Sequence, residues 1–128
     1  ALGRMAREAA AAGDLPSVLQ AAGDVDVITG YHVTAAVKAG APDALALLRT
    51  YAGNVAIGLT GLANILDPTR IVVSGGLIEL GETLLGPIRE ALAGHIEGAS
   101  RRPQPEIVAA TLGEKAGMIG AAALALHA

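Results

Sequence analysis

Cysteine is absent from this sequence, and so are phenylalanine and tryptophan. Without cysteine the 128 residues can form neither a disulfide nor a thiolate metal site, which fits a reducing, cytoplasmic setting. Aromatic residues are 2% of the chain while 52% of it is hydrophobic, so alanine, leucine, valine and glycine must do the packing. Small side chains suit layers whose backbones approach closely, as where helices lie on a sheet, and fill a wide barrel poorly. Nine basic and twelve acidic residues are spread along the chain, for a net charge of −3. No basic cluster interleaved with aromatics occurs, so direct nucleic-acid contact is not expected. The longest uncharged stretch, 50–66, is at the short limit for a membrane span and carries Asn54, Thr60 and Asn64. Amides are costly in lipid, so a buried core helix is expected there and no membrane contact. Residues 1–12 carry Arg4, Arg7 and Glu8 in place of the apolar core of a signal peptide. The chain begins at Ala1 without an initiator methionine, and the start reads as a cut in a longer protein.

What is present alternates in type. Residues 2–12 read as a helix ended by Gly13-Asp14, and Ser17 is placed to cap a short helix toward Ala22. Thr29-Gly30 introduces another over 31–39, closed by Gly40. The clearest element runs from Pro42 to Leu66, with Asp43 at its positive end. Leu45, Leu48, Ala52, Val55, Leu59, Leu62 and Leu66 recur at steps of three and four, one continuous stripe. Gly53, Gly58 and Gly61 interrupt that helix at about 1 kcal/mol each relative to alanine, which leads us to expect another backbone against it. Asp67-Pro68 ends it. Residues 70–74 are short and β-branched, as in a strand buried on both faces. A helix follows over 79–95, with Leu84, Leu85, Ile88, Leu92 and Ile96 on one side. A loop at 101–105, a second strand at 106–111 and a last helix over 115–127 complete the chain. This alternation implies one α/β domain, a small mostly parallel sheet covered by helices.

Two segments are candidates for a binding site. Gly75-Gly76, with Leu77 after them, directly follow the first strand. Two glycines there either let a ligand approach the backbone or merely make a tight strand–helix turn. At the end of the second strand, Gly113 precedes a helix on which Gly117 and Gly120 share a bare face with Ala116 and Ala121. That face suits a flat ligand or a neighbouring helix. Other polar residues point to structure. His32, His95 and His127 lack metal-ligand spacing, Glu79 and Glu82 suit a first helical turn, and no calcium loop follows Asp24 and Asp26. Arg101-Arg102 reads as a solvated loop. Neither a Gly-x-Ser-x-Gly nucleophile motif nor a Gly-x-x-x-x-Gly-Lys-Ser/Thr phosphate loop occurs.

The run from Asn64 through Ile71-Val72-Val73-Ser74-Gly75-Gly76 resembles the C-terminal region of the ROK family, which holds bacterial glucokinases, other sugar kinases and sugar-responsive repressors. So does Leu112-Gly113-Glu114-Lys115-Ala116-Gly117-Met118-Ile119-Gly120. Leu2-Gly3-Arg4, Ile28-Thr29-Gly30 and the helix over 44–66 fall in the family's order. The resemblance implies the C-terminal half of an actin-like (ribonuclease H-like) ATPase fold. It also implies that Gly75, Gly76 and Leu77 form an adenosine-binding turn, with Ala116 and Gly117 at the nucleotide and Gly113 and Gly120 in support. ATP with Mg²⁺ as cofactor, a hexose partner and a homo-oligomer are implied for the full-length protein.

The family's Asp-x-Gly-Gly-Thr phosphate loop, its Asn-Asp and Glu-x-Gly-His sugar segments and its cysteine-rich zinc site do not occur in these residues. The expectation is therefore a single lobe, with the phosphate- and sugar-binding lobe and any zinc site upstream. By itself the chain is expected to catalyse nothing, because phosphoryl transfer needs positioned phosphates, metal ligands and a base. The preferred reading is the nucleotide-binding lobe of a glucokinase-like sugar kinase. The alternative is the effector-sensing and dimerising lobe of a ROK repressor.

Overall fold

A computed structural model describes residues 1–96 and 103–127 of the chain. Arg101 and Arg102 of the expected loop lie outside the described residues. Three short helices come first: α1 (Leu2–Ala11), α2 (Pro16–Ala22) and α3 (Gly30–Lys38). α1 buries Leu2, Ala6 and Ala10, spaced four apart on one face. Arg7 of α1 donates to the Ile28 carbonyl at 2.8 Å, tying α1 to the segment that leads into α3. At Gly3 a Cβ would come within 3.2 Å of the Gly30 backbone nitrogen, so α1 and α3 meet backbone to backbone there.

Ser17 does not cap α2. Leu15 holds the cap position and Pro16 the first turn, which places Ser17 inside the helix. Its hydroxyl donates to Asp43 Oδ1 at 2.6 Å and its N–H to Asp43 Oδ2 at 2.9 Å. Asp43 thereby joins α2 to the start of α4 (Pro42–Leu66). Burial pushes the Asp43 pKa upward, but hydrogen bonds from Ser17 and from the Ala44 N–H outweigh it and hold the carboxyl below its ordinary value.

α4 has the expected bounds and ends where Asp67 takes φ +44° ahead of Pro68. Its buried line differs from the expected stripe. Ala44, Leu48, Ala52, Ala56 and Ala63 are buried, Leu45, Val55 and Leu59 half-buried, and Leu62 and Leu66 exposed. α5 (Glu82–His95) is the main neighbour of α4. Alanine at four of these five buried positions gives a low ridge along which two helices come close. The second backbone expected at Gly53, Gly58 and Gly61 is not found. Among the described residues no heavy atom apart from the helix's own neighbouring backbone lies within 4 Å of where a Cβ would stand at any of the three.

The sheet is two parallel strands, β1 (Arg70–Val73) and β2 (Glu106–Ala109), with Arg70 opposite Glu106 and Val73 opposite Ala109. Arg70 and Glu106 also pair through their side chains at 2.7 Å. β1 is not buried on both faces. Ile71 and Val73 are half-buried and Val72 is 59% exposed, because the described helices cover one face only. The helix expected over 79–95 is split. A 3-10 turn (Gly76–Leu80) comes first, and Gly81 at φ +53° separates it from α5. α5 buries Leu84, Leu85, Ile88 and Leu92, with Ile96 just beyond, as the periodicity predicts. Arg89 of α5 pairs with Glu82 and donates twice to the Ile107 carbonyl, at 3.1 and 2.9 Å, fixing α5 on β2. A 3-10 turn (Gly113–Lys115) then leads into α6 (Ala116–His127).

Candidate nucleotide site

Parallel pairing sets the position of both glycine turns. Val73 and Ala109 end the two strands side by side, and the Ala110 N–H donates to the Val73 carbonyl at 2.8 Å. Whatever follows each strand must leave from the same edge, the carboxyl edge where ligands of open α/β sheets collect. After β1 the chain reverses at Gly75, φ +115°, a conformation that any Cβ would strain. The Ile78 N–H then donates to the Gly75 carbonyl at 3.1 Å, winding the 3-10 turn. After β2 the reversal falls at Gly113, φ +53°, and the Lys115 N–H donates to the Leu112 carbonyl at 3.2 Å.

Gly75, Gly76 and Gly113 line one cavity of about 320 Å³ together with Tyr31, Ile78 and Glu79. Leu77 and Gly76 line a neighbouring cavity of about 250 Å³ with Thr29, Gly30, Tyr31 and Thr34. On the other side of the Gly75-Gly76 turn, a cavity of about 330 Å³ runs back along Tyr51 and Val55 of α4. Among the described residues nothing stands within 4 Å of a Cβ position at Gly75, Gly76 or Gly113, so the floor of the site is open backbone. Ala116 opens α6 directly after the second turn, and Gly117 and Gly120 follow on its exposed surface.

The first turn of α3 adds Tyr31, which the sequence does not single out, and the turn after β1 adds Glu79, which the sequence suggests only as a helix-start acid. Tyr31 and Glu79 border both the cavity at the glycine turns and its neighbour. Glu79 is held by Lys38 at 2.9 Å, a link from the end of α3 to the turn after β1. Tyr31 carried one available signal, as one of two aromatic residues in the chain, directly after a helix-starting Thr29-Gly30. No group of three or more histidine or acidic residues that could hold a metal ion occurs among the described residues. No described helix is long and apolar enough to cross a membrane.

This lobe, a parallel sheet whose carboxyl edge carries two glycine reversals, has the actin-like ATPase fold, as superposition on a solved relative shows. It superposes on a crystal structure of a ROK family glucokinase from Streptomyces griseus in complex with glucose and AMPPNP, with a TM-score of 0.90 and 37% identity, over 99% of this chain and 42% of that one. The chain belongs to the ROK family, whose sequence model matches residues 7–128. It is 40% identical to a glucokinase from Streptomyces coelicolor over 98% of this chain and 40% of that protein. It is 38% identical to the bifunctional enzyme NanE/NanK from Brucella melitensis over 97% of this chain and 20% of that protein. The chain thus spans about two fifths of the length of the glucokinases it matches.

Proposed function

We propose that this chain is the C-terminal, nucleotide-binding lobe of a cytoplasmic, homo-oligomeric ROK hexose kinase that moves the γ-phosphoryl group of ATP to a sugar hydroxyl. The observation that carries this reading is the single cavity shared by Gly75, Gly76 and Gly113 at the carboxyl edge of the sheet. Backbone without side chains lets a purine and its ribose lie close, and Leu77 offers apolar surface in the adjoining cavity. Ala116, Gly117 and Gly120 are assigned to the same ligand, along the start of α6. The naming of glucose and AMPPNP in the related crystal structure supports the substrate class.

The division of labour follows from the chemistry. Phosphoryl transfer requires an in-line acceptor, neutralised phosphates and a group to take the hydroxyl proton. The described residues hold no acidic cluster for Mg²⁺, so in this proposal the metal, the phosphates and the hexose are held by the rest of a longer protein. Within the chain, Gly75 and Gly113 orient the adenosine end, and Glu79 with Lys38 keeps the first turn in place. The exposed apolar residues Ile65, Leu66, Val72, Leu124 and Leu126 support a further packing partner for this lobe.

Titration of the isotope-labelled chain with AMP tests the reading. The amides of Gly75, Gly76, Leu77 and Gly113 should shift, with a dissociation constant on the order of 1 mM because the phosphate contacts are missing. The chain alone should transfer no phosphate from ATP to glucose. Shifts confined to other surfaces, or measurable glucose phosphorylation, would overturn it.

A further inference from the structure

We propose that Tyr31 is the stacking wall for the purine base of the bound nucleotide, an inference that rests on the nucleotide-binding reading above and adds to it the group that grips the base. In this chain apolar surface is packed with alanine and leucine, yet one of its two aromatic rings is 82% exposed. An exposed ring offers apolar area that a flat ligand can cover with gain. The ring borders the cavity of Gly75, Gly76 and Gly113 and also the one beside it. The other described residues that line that cavity are Gly75, Gly76, Gly113, Ile78 and Glu79. In this proposal a planar group entering there stacks on the Tyr31 ring and lies against the glycine turns.

The ring is also mounted on a fixed element. The Thr29 N–H donates to His32 Nδ1 at 3.1 Å and the Thr34 hydroxyl donates to the Gly30 carbonyl at 2.9 Å, which together hold the first turn of α3. Arg7 anchors the chain just before it at Ile28, and Lys38 ties the far end of α3 to Glu79. α3 and the turn after β1 are thus in contact in the free chain, which places Tyr31 beside that turn before a ligand arrives. Stacking accepts any purine, which places discrimination between bases elsewhere and gives Tyr31 the task of affinity.

The test uses the 128-residue chain with AMP and ribose 5-phosphate as probes, read at the Gly75, Gly76 and Gly113 amides. Tyr31→Ala should weaken AMP about tenfold, as expected for loss of one stacked aromatic, and leave ribose 5-phosphate unchanged. Tyr31→Phe keeps the ring and should bind AMP like the parent. AMP should move the ring protons of Tyr31 upfield, a signature that a merely structural role would not give. Equal AMP binding by the parent and Tyr31→Ala would overturn the stacking role while leaving the nucleotide site standing. Equal weakening of AMP and ribose 5-phosphate would overturn it too, since the effect would then not concern the base. If AMP leaves all three amides of the parent unmoved, the nucleotide reading fails and the stacking role with it.

Discussion

The two halves of α4 differ in the opposite sense to their hydrophobicity: both charged residues of the helix, Asp43 and Arg49, lie in its first half, yet the more apolar second half is the less covered. In the first half Ala44, Leu48, Ala52 and Ala56 are buried at every fourth position, under α5 and the small helices. In the second half Ile57, Leu62, Ile65 and Leu66 face outward, Ile65 at 80% exposure. The same contrast divides the molecule. Helices α1, α2, α3 and α5 close a core around the start of α4, while the far side of β1 and the length of α6 show Val72, Met118, Leu124 and Leu126 to solvent. A periodic stripe therefore reports that a helix has an apolar face, not that this chain supplies the surface to cover it. Exposed apolar residues gathered in this way mark a place of contact.

Truncating one large residue on each side of the divide sharpens the comparison most. Ile88 is 1% exposed in the seam between α5 and its neighbours. Ile88→Ala should cost about 3 kcal/mol, the lost transfer energy plus the cavity left behind. Ile65→Ala in the open half should stay within about 0.5 kcal/mol of the parent, having little burial to lose. Urea unfolding followed by circular dichroism measures both. Similar losses at the two sites would erase the distinction between a closed and an open half.

The same distinction explains which parts of the fold were legible from the sequence. α5 could be read because Leu84, Leu85, Ile88, Leu92 and Ile96 are covered by elements within the chain. The bounds of α4 could be read because Pro42 and Asp67-Pro68 act locally through backbone geometry. β1 was misjudged, since burial on a second face depends on a layer the strand itself does not encode. Gly81 was overlooked as a break because a glycine near a helix start is compatible with several backbone paths, of which φ +53° was taken. At the candidate site, Gly75 and Gly113 stood out because positive φ leaves a residue signature. Tyr31 and Glu79 join them only through the packing of α3 on the turn after β1, a contact between segments more than forty positions apart in sequence.

A smaller effect is expected at the polar tie of the closed half. Ser17→Ala removes the hydroxyl that donates to Asp43 at 2.6 Å and should cost about 1 kcal/mol at neutral pH, for a half-buried hydrogen bond to a charged acceptor. The pH dependence has a definite sign. Asp43 is held below its ordinary value of 3.8 in the folded chain, so its ionised form contributes fully above that value. The contribution is lost as pH falls through the lower, folded value. Urea midpoints of the parent and Asp43→Asn should therefore be well separated at about pH 6 and draw together as pH falls below 3.8. A separation that stays constant over this range would show that Asp43 does not act through its charge.

The smallest expected effect bears on the open half directly. Gly58 lies inside α4, exposed, with no described heavy atom within 4 Å of a would-be Cβ apart from the helix's own neighbouring backbone. A glycine there gives up helix propensity without any contact in this chain to offset it. Gly58→Ala should accordingly stabilise the chain by about 0.5 to 1 kcal/mol, since the unfolded state loses freedom and the folded state gains no clash. In a thermal melt this is a rise of a few degrees, on the order of 4 °C for a domain of this size. The melt is best repeated at low and high protein concentration. A gain that holds at both leaves this face of α4 bare in the chain. A gain at low concentration that turns into a loss at high concentration would mean that a second copy rests on the glycine, and the open half of the comparison would then be closed by association.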